Sequence, residues 1–387
     1  MSYEKRGVSA NKEDVHSAIA DLSKGLYNNS FCKILPDFFT QDDDYACMLH
    51  ADTAGSKTAL AYLYWKETGD ITVWQGITQD AIVMNTDDMA CSGVTDNIML
   101  SNTIGRNKAL IPGNVVAALI QGATQFADLM LANGIKIHLA GGETADVGDI
   151  VRTLDVGFTA FARLPKSDIQ LINIQPGQVV IGVESYGQAS YESEYNSGIG
   201  SNGLTFARHE VLSAKYRRHT ESYAPETDSE YVYSGSKSLS DIYEGQLVAK
   251  LLLSPTRTYL PVLKMLFQEK RAAINGIIHN TGGGQTKVLH FAKGVNIVKN
   301  DLLEIPPVFN MIQSENNTAY QEMFKIFNMG QRLEIYTNKE EADSIINIIK
   351  SFDINAKIIG YVEEHSNKNA SSVEVHAVND KLLYHSS

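Results

Sequence analysis

Acidic side chains gather in three separate stretches of this sequence, each at the end of an apolar run. Asp52 stands beside Lys57 in ADTAGSK, Asp80 with Asp87 and Asp88 in QDAIVMNTDD, and Glu143, Asp146 and Asp149 in HLAGGETADVGD. Carboxylates on exposed loops are ordinarily just solvated, and each cluster alone reads that way. Their position at the ends of buried-type segments lets side chains from different elements converge on one site. Hard oxygen ligands so arranged suit Mg2+, which is held by one or two carboxylates plus substrate phosphates. Glycine turns supply the complement, because their backbone N–H groups can approach phosphate oxygens that side chains would keep away. TGGGQTK at residues 281–287 is the better candidate and GIGSNGL at residues 198–204 the second. Neither has P-loop or dinucleotide spacing, so a plain tight turn stays open for both.

Other polar residues narrow the chemistry mainly by exclusion. His50, His138, His209, His279 and His290 show no zinc-like spacing and read as satisfied core or surface imidazoles. Arg257 in SPTRTY suits a phosphate or a structural ion pair equally. The net charge of −12 argues against nucleic acid as a partner, since that binding needs a basic footprint. An anionic substrate then requires a metal ion or a local group of donors. Cys32, Cys47 and Cys91 are odd in number and widely spaced, which fits buried or idle thiols in a reducing compartment. No apolar run approaches the ~18 residues of a membrane span, and the charged start MSYEKRGVSANKEDVHSAIADLSKG lacks a secretory core. A cytoplasmic chain with no membrane partner is expected.

The positioning elements follow from periodicity. A chain of 387 residues exceeds one ordinary core, which predicts two domains. NVVAALIQGATQFADLMLANG spaces Val115, Leu119, Phe126 and Met130 along one helical face and stops at Asn133 and Gly134. IKIHLAGG then reads as a strand delivering the Glu143 stretch as a surface loop. YACMLHADTAG and TLDVGFTAFARL read as further strands, and ITVWQGITQDAIVMNTDDMACSG as a helix carrying acids. A polar link at residues 167–175 precedes a strand at 179–183, setting the division at 1–167 and 168–387. Residues 214–246 are polar and predict a surface excursion rather than core. YLPVLKMLFQ predicts a helix, INGIIHNTGGGQTKVLHFAKG a strand, glycine loop and helix, and QRLEIYTNKEEADSIINIIKSFDINAKIIGYVEE a strand, helix and strand.

Eight stretches in order resemble the phosphoribosylformylglycinamidine cyclo-ligase family, also called aminoimidazole ribonucleotide synthetase. They are YEKRGVSANKEDVHSAI, HADTAGSKTALA, QDAIVMNTDDMACSGV, LAGGETADVGD with LDVGFTAFARL, GSNGLTFAR, LLSPTRTY, HNTGGGQTKVL and EMFKIFNMG. The resemblance implies a mixed α+β and α/β fold. An N-terminal four-stranded sheet domain, 1–167, binds ATP and pairs with its copy in a barrel-like homodimer core. A C-terminal α/β domain, 168–387, carries helices on its sheet. It further implies Mg2+ and ATP, a small-molecule nucleotide substrate, and cyclisation of formylglycinamidine ribonucleotide through phosphorylation of its amide oxygen.

Carried over by motif, Asp52, Asp80, Asp88 and Glu143 are expected to hold Mg-ATP, with Lys57, Asp52 and Asp80 as the catalytic group. Asp146, Gly141 and Gly142 join Asp88 and Glu143 on the ATP side, with Lys57 neutralising phosphate charge. Ser201, Asn202 and the backbone of Gly282, Gly283 and Gly284 fall to substrate or phosphate. The chain departs from the pattern at Ile19–Ala20, where the family carries Ile-Lys and Lys24 is the nearest lysine here. It departs again in NNSFCKILPDFF, at Thr53, at Gly200 in place of a histidine, and at residues 285–288. Those departures keep two alternatives in view, a catalytically altered nucleotide-binding paralogue and a small-molecule kinase of the same superfamily.

Overall fold

Alternating burial builds the first sheet. The computed structural model describes residues 3–8, 18, 21–377 and 380–386; Ile19 and Ala20 lie outside them. In chain order, the first part comprises β1 (Ile34–Pro36), β2 (Tyr45–Thr53), α1 (Lys57–Thr68), α2 (Val73–Ala90) and β3 (Ile98–Arg106). It continues through α3 (Gly113–Ala132), β4 (Ile137–Asp146) and β5 (Leu154–Pro165). Among the described residues these strands form a five-stranded sheet in the order β1-β2-β5-β3-β4, all antiparallel except β3 with β4. The expected four strands gain an edge because Ile34 pairs with Met48.

One face of this sheet is covered. Met48, Leu100, Phe158 and Ala160 are buried against α2 and its neighbours, whereas Leu49 and Met99 on the other face are 58% and 46% exposed. The covering helices touch closely, since a Cβ on Gly122 of α3 would lie 2.8 Å from Gln75 Cα of α2. Helix α3 is long and apolar enough to cross a membrane by length and composition, contrary to the sequence expectation. Its Val115, Leu119, Phe126 and Met130 stripe is buried instead, in a core that also takes in Tyr259, Leu260 and Leu263 of the second part.

Strand β4 corrects the opening expectation, because the Glu143 stretch is strand rather than loop. Pairing slips by one residue between Leu100–Leu139 and Asn102–Gly142. Gly141 takes φ +86° to make this bulge, and a Cβ on Gly142 would overlap Asn102. The glycines thus serve strand pairing.

The second part begins with β6 (Val179–Glu184), α4 (Leu204–Val211), β7 (Ile242–Tyr243), β8 (Gln246–Leu247), α5 (Val248–Leu253), α6 (Leu260–Lys270) and β9 (Ile274–His279). Then come β10 (Val295–Lys299), α7 (Pro307–Glu315), α8 (Tyr320–Ile326), β11 (Gln331–Thr337), α9 (Lys339–Lys350), β12 (Ala356–Glu364), β13 (Ser372–Ala377) and β14 (Asp380–His385). Their seven-stranded sheet runs β14-β13-β10-β12-β6-β11-β9, with a separate β7-β8 hairpin. In α9, Ala342, Ile345 and Ile349 recur at helical spacing and seat the helix on the sheet. The segment after the triple glycine is a 3-10 helix, Gly284–His290, rather than an α-helix.

Residues 214–246 depart from the expected surface excursion. Tyr216, Val232, Tyr233 and Leu239 are buried there. Tyrosine permits this by burying its ring while its hydroxyl finds a partner: the Tyr216 O–H donates to Glu67 at 3.0 Å, and Tyr233 is joined to Ser222 at 2.7 Å.

Candidate active site

The acids of α2 separate into two kinds. Asp80 Oδ1 accepts from Lys57 Nζ at 2.8 Å, from the Thr256 N–H at 2.8 Å and from the Thr256 hydroxyl at 2.5 Å. Lys57 also donates to the carbonyls of Gly200 at 3.0 Å and Ser254 at 2.6 Å. Both side chains of the ion pair are fully buried. Burial pulls the lysine amine down and pushes the carboxyl up, and each charge opposes the shift of the other. Asp87 is a second tie, accepting from the Thr258 hydroxyl at 2.7 Å and the Tyr259 N–H at 2.8 Å. These acids stitch the helix to the 254–259 segment, and Lys57 presents no ammonium to a cleft. The expected phosphate-neutralising role of Lys57 is corrected on that ground.

Asp88 faces differently. His279, at the end of β9, contacts Asp88 Oδ1 through Nδ1 at 2.7 Å, and Arg332 Nε donates to His279 Nε2 at 3.1 Å. Arginine offers only donors, so Nε2 accepts and Nδ1 carries the proton given to Asp88. Burial works against the Asp88 charge, but the His279 hydrogen bond and the charge of Lys287 hold the carboxyl below the usual range. His50 Nε2 lies 3.7 Å from Asp88 Oδ2. Its Nδ1 meets Asn85 Oδ1 at 3.1 Å, while Asn85 Nδ2 donates to the Asp52 carbonyl at 3.3 Å. Asp52, His50 and Asp88 thus form one connected rim at the end of β2.

Two loops of the second part close on this rim. Ser201 donates to the Ala54 carbonyl at 2.9 Å, and Ser56 meets Thr205 at 2.6 Å. Asn202 stands opposite the triple glycine, its Nδ2 4.0 Å from where a Cβ of Gly282 would be. The Gly284 N–H turns back to Thr281 at 2.9 Å. Beneath the loop, Lys299 bonds Glu334 and donates to the Gln285 carbonyl at 2.8 Å, while Asn280 donates to Glu334 at 2.8 Å. This buried polar network fixes loop geometry, with Asn280 Oδ1 its one buried atom left without a partner.

Glu143 and Asp146 fall elsewhere. Glu143 pairs with Thr103, which pairs with Gly157 and so with Thr53, a row on the open face. Asp52 pairs with Phe158 and belongs to the covered face. Strand alternation therefore puts Glu143 and Asp52 on opposite faces of one sheet. Asp146 is held by Arg106 at 2.8 Å and Lys108 at 3.3 Å, and the Arg106 hydrogen bond draws its carboxyl below the usual range. The single site of Asp52, Asp80, Asp88 and Glu143 is corrected accordingly. Among the described residues no three His, Cys, Asp or Glu side chains form a ligand group.

A cavity of about 800 Å3 lies outside this cleft, lined among others by Tyr64, Phe126, Tyr191, Glu192, Lys250 and Pro255. None of the sequence candidates lines it. Arg257 proves to be an ion pair, its Nη2 2.6 Å from Glu192. Cys32, Cys47 and Cys91 are buried free thiols. In the sequence His50 and His279 read as satisfied imidazoles, and neither Arg332 nor Lys287 stands out. Their one local signal is a place at a strand end or beside the glycine loop.

Comparison with known proteins agrees with this two-part architecture. The AIR synthase related protein N-terminal domain matches residues 33–164, and the corresponding C-terminal domain matches residues 175–371. A protein of Methanococcus vannielii named phosphoribosylformylglycinamidine cyclo-ligase is 32% identical over 327 residues, covering 83% of this chain and 79% of that protein. One of the same name from Methanococcus maripaludis is 30% identical over 374 residues, covering 94% and 93%. A solved structure from Thermus thermophilus shares the fold at a TM-score of 0.53 and 15% identity, covering 94% of this chain and 96% of that one. The chain belongs to the AIR synthase-related family.

Proposed function

We propose that this protein is an ATP-dependent cyclo-ligase of purine biosynthesis, converting formylglycinamidine ribonucleotide to aminoimidazole ribonucleotide. The observation that carries the reading is the match over 94% of the chain to a protein named for that activity. The amide oxygen of the substrate attacks the γ-phosphorus of ATP, forming an O–P bond as ADP leaves. The amidine nitrogen then attacks the activated carbon, the C–O bond breaks, inorganic phosphate departs and the nitrogen loses a proton. Phosphorylation is needed because amide oxygen is a poor leaving group and phosphate a good one.

Asp88, with Asp52 linked to the same rim through its carbonyl and Asn85, would hold one side of a Mg2+ site, since that ion takes one or two carboxylates and completes its shell with phosphates and water. Mg2+ would supply charge neutralisation for the triphosphate. His279, fixed by Arg332, holds Asp88 ionised and aimed; Asn202, Ser201 and the glycines of residues 282–284 belong to the phosphate side. Residues 1–167 are read as the nucleotide-binding and dimerisation domain and 168–387 as its α/β partner, in the cytoplasm. The homodimer is supported by the row Leu49–Phe161–Met99 across the open sheet face, an apolar surface suited to a second copy.

The test gives the purified protein Mg-ATP with formylglycinamidine ribonucleotide and follows ADP and aminoimidazole ribonucleotide together. Stoichiometric appearance of both is expected. ADP without ring closure would point to a kinase, and stabilisation by Mg-ATP without turnover to a binding paralogue. Light scattering on the Leu49→Asp variant, expected to be monomeric, tests the dimer.

A further inference from the structure

The cleft contains a cation that the mechanism has not yet used. Lys287 Nζ lies 5.6 Å above the Phe31 ring, and Phe31 stacks on Phe291 at 5.0 Å. Among the described residues Lys287 makes no hydrogen bond or ion pair, in contrast with Lys57 and Lys299, whose ammonium groups are fully bonded and buried. Lys287 is half-buried and follows the triple glycine, its Cα 3.7 Å from where a Cβ of Gly283 would stand. Lys287 is among the groups that hold the Asp88 carboxyl below its usual range.

Uncommitted donors lie on the same loop and beside it. The N–H groups of Gly282 and Gly283 and the amide of Asn202 have no hydrogen-bond partner among the described residues. Below them, Arg332 is 1% exposed and its Nη1 is buried without a partner. A Cβ on Gly200 would lie 3.4 Å from that nitrogen, so the bare glycine leaves room beside the guanidinium. A site with unpaired donors and fixed cations is matched by an anion rich in acceptor oxygens.

We infer that Lys287 is the phosphate anchor of the cleft, binding a phosphate of a nucleotide ligand together with Gly282, Gly283 and Asn202. Phe31 holds the lysine stem, and the Lys299–Glu334 network holds the loop from below. The inference rests on the cyclo-ligase reading for the identity of the ligand, but not for its phosphate chemistry. Two phosphates qualify, the triphosphate of ATP and the 5′-phosphate of the ribonucleotide substrate.

The test compares full-length protein with Lys287→Met, Lys287→Arg and, as a charge control, the exposed Lys293→Met. KM for Mg-ATP, KM for formylglycinamidine ribonucleotide, kcat and thermal unfolding are measured for each. Loss of one charged hydrogen bond predicts a rise of roughly ten- to a hundredfold in the KM of one substrate. The unfolding temperature and kcat should stay close to those of the native chain, and Lys287→Arg should restore most of the KM. The substrate whose KM moves identifies the phosphate. Unchanged KM for both, or an equal effect from Lys293→Met, overturns the anchor. If the native protein shows no turnover, thermal shifts by Mg-ATP and by ribose 5-phosphate are read instead. A shift lost only in Lys287→Met then keeps the anchor while the cyclo-ligase reading falls.

Discussion

Asp80 and Asp88 sit eight residues apart on α2, yet the first is enclosed by Lys57 and Thr256 and the second opens toward His50 and His279. Both are carboxylates on one helix, and both are mostly buried. What separates them is the partner. A lysine bonded to three acceptors consumes its acid structurally, whereas a neutral imidazole orients its acid and leaves the charge available. Enclosure of the partner therefore tells a cross-link from a site better than the acid's own burial does.

Breaking the cross-link should give the largest effect. Lys57→Met leaves Asp80 buried beside Thr256 without its counter-charge, a change that costs about 3–5 kcal/mol. Denaturant unfolding measures it. The double variant Lys57→Met with Asp80→Leu should recover most of the loss, because it removes the orphaned charge. A Lys57→Met protein of native stability and no activity would reverse the assignment and return this lysine to the chemistry.

Opening the cleft pair comes next. Asp88→Asn keeps the shape and removes the charge that His279 and Arg332 are arranged to hold. Steady-state turnover should fall by about 10²-fold, the lower end for loss of one positioned electrostatic group. Stability should change much less than in Lys57→Met. If unfolding free energy dropped as far as turnover, Asp88 would belong with Asp80.

The contrast between these acids was not legible in the sequence, although the elements carrying them were. Helix α3 could be read from Val115, Leu119, Phe126 and Met130 because burial imposes its period on the chain. No such period marks His50 and His279, which reach Asp88 from strands of different sheets. ADTAGSK looks like a phosphate loop because Lys57 follows glycine and serine, and only the carbonyls of Gly200 and Ser254 reveal its enclosure. The face taken by Glu143 depended on a one-residue bulge at Gly141, which reverses side-chain parity beyond it. Tyr216 and Tyr233 misled in the opposite sense, since a polar composition concealed buried rings.

A third test asks whether burial without a counter-ion behaves as the comparison requires. His209 of α4 is buried, and burial with Arg208 and Arg6 nearby pushes its pKa down to about 2. Its Nδ1 accepts the Tyr233 N–H at 3.1 Å. The unfolded imidazole takes a proton near pH ~6.5, while the folded one stays neutral. The stabilisation is therefore complete above that pH and declines as pH falls from ~6.5 toward 2. The slope approaches about 1.4 kcal/mol per pH unit. His209→Gln, whose amide oxygen can take the Tyr233 N–H, should flatten unfolding curves measured between pH ~6.5 and ~5. An unchanged slope would mean that His209 is protonated in the folded chain.

The smallest effect should come from Glu143, which separates the open sheet face from the cleft. Glu143→Ala removes an exposed carboxylate from an edge strand and leaves the Gly141 bulge intact, so protomer stability should stay within about 0.5 kcal/mol. Its turnover should remain well above that of Asp88→Asn, because Glu143 and Asp52 point from opposite faces of the sheet. Kinetics of the two variants, run side by side at one protein concentration, decide the matter. Equal losses would place Glu143 at the chemistry after all, and with the sheet parity fixed, that carboxylate would have to reach the cleft of a second subunit.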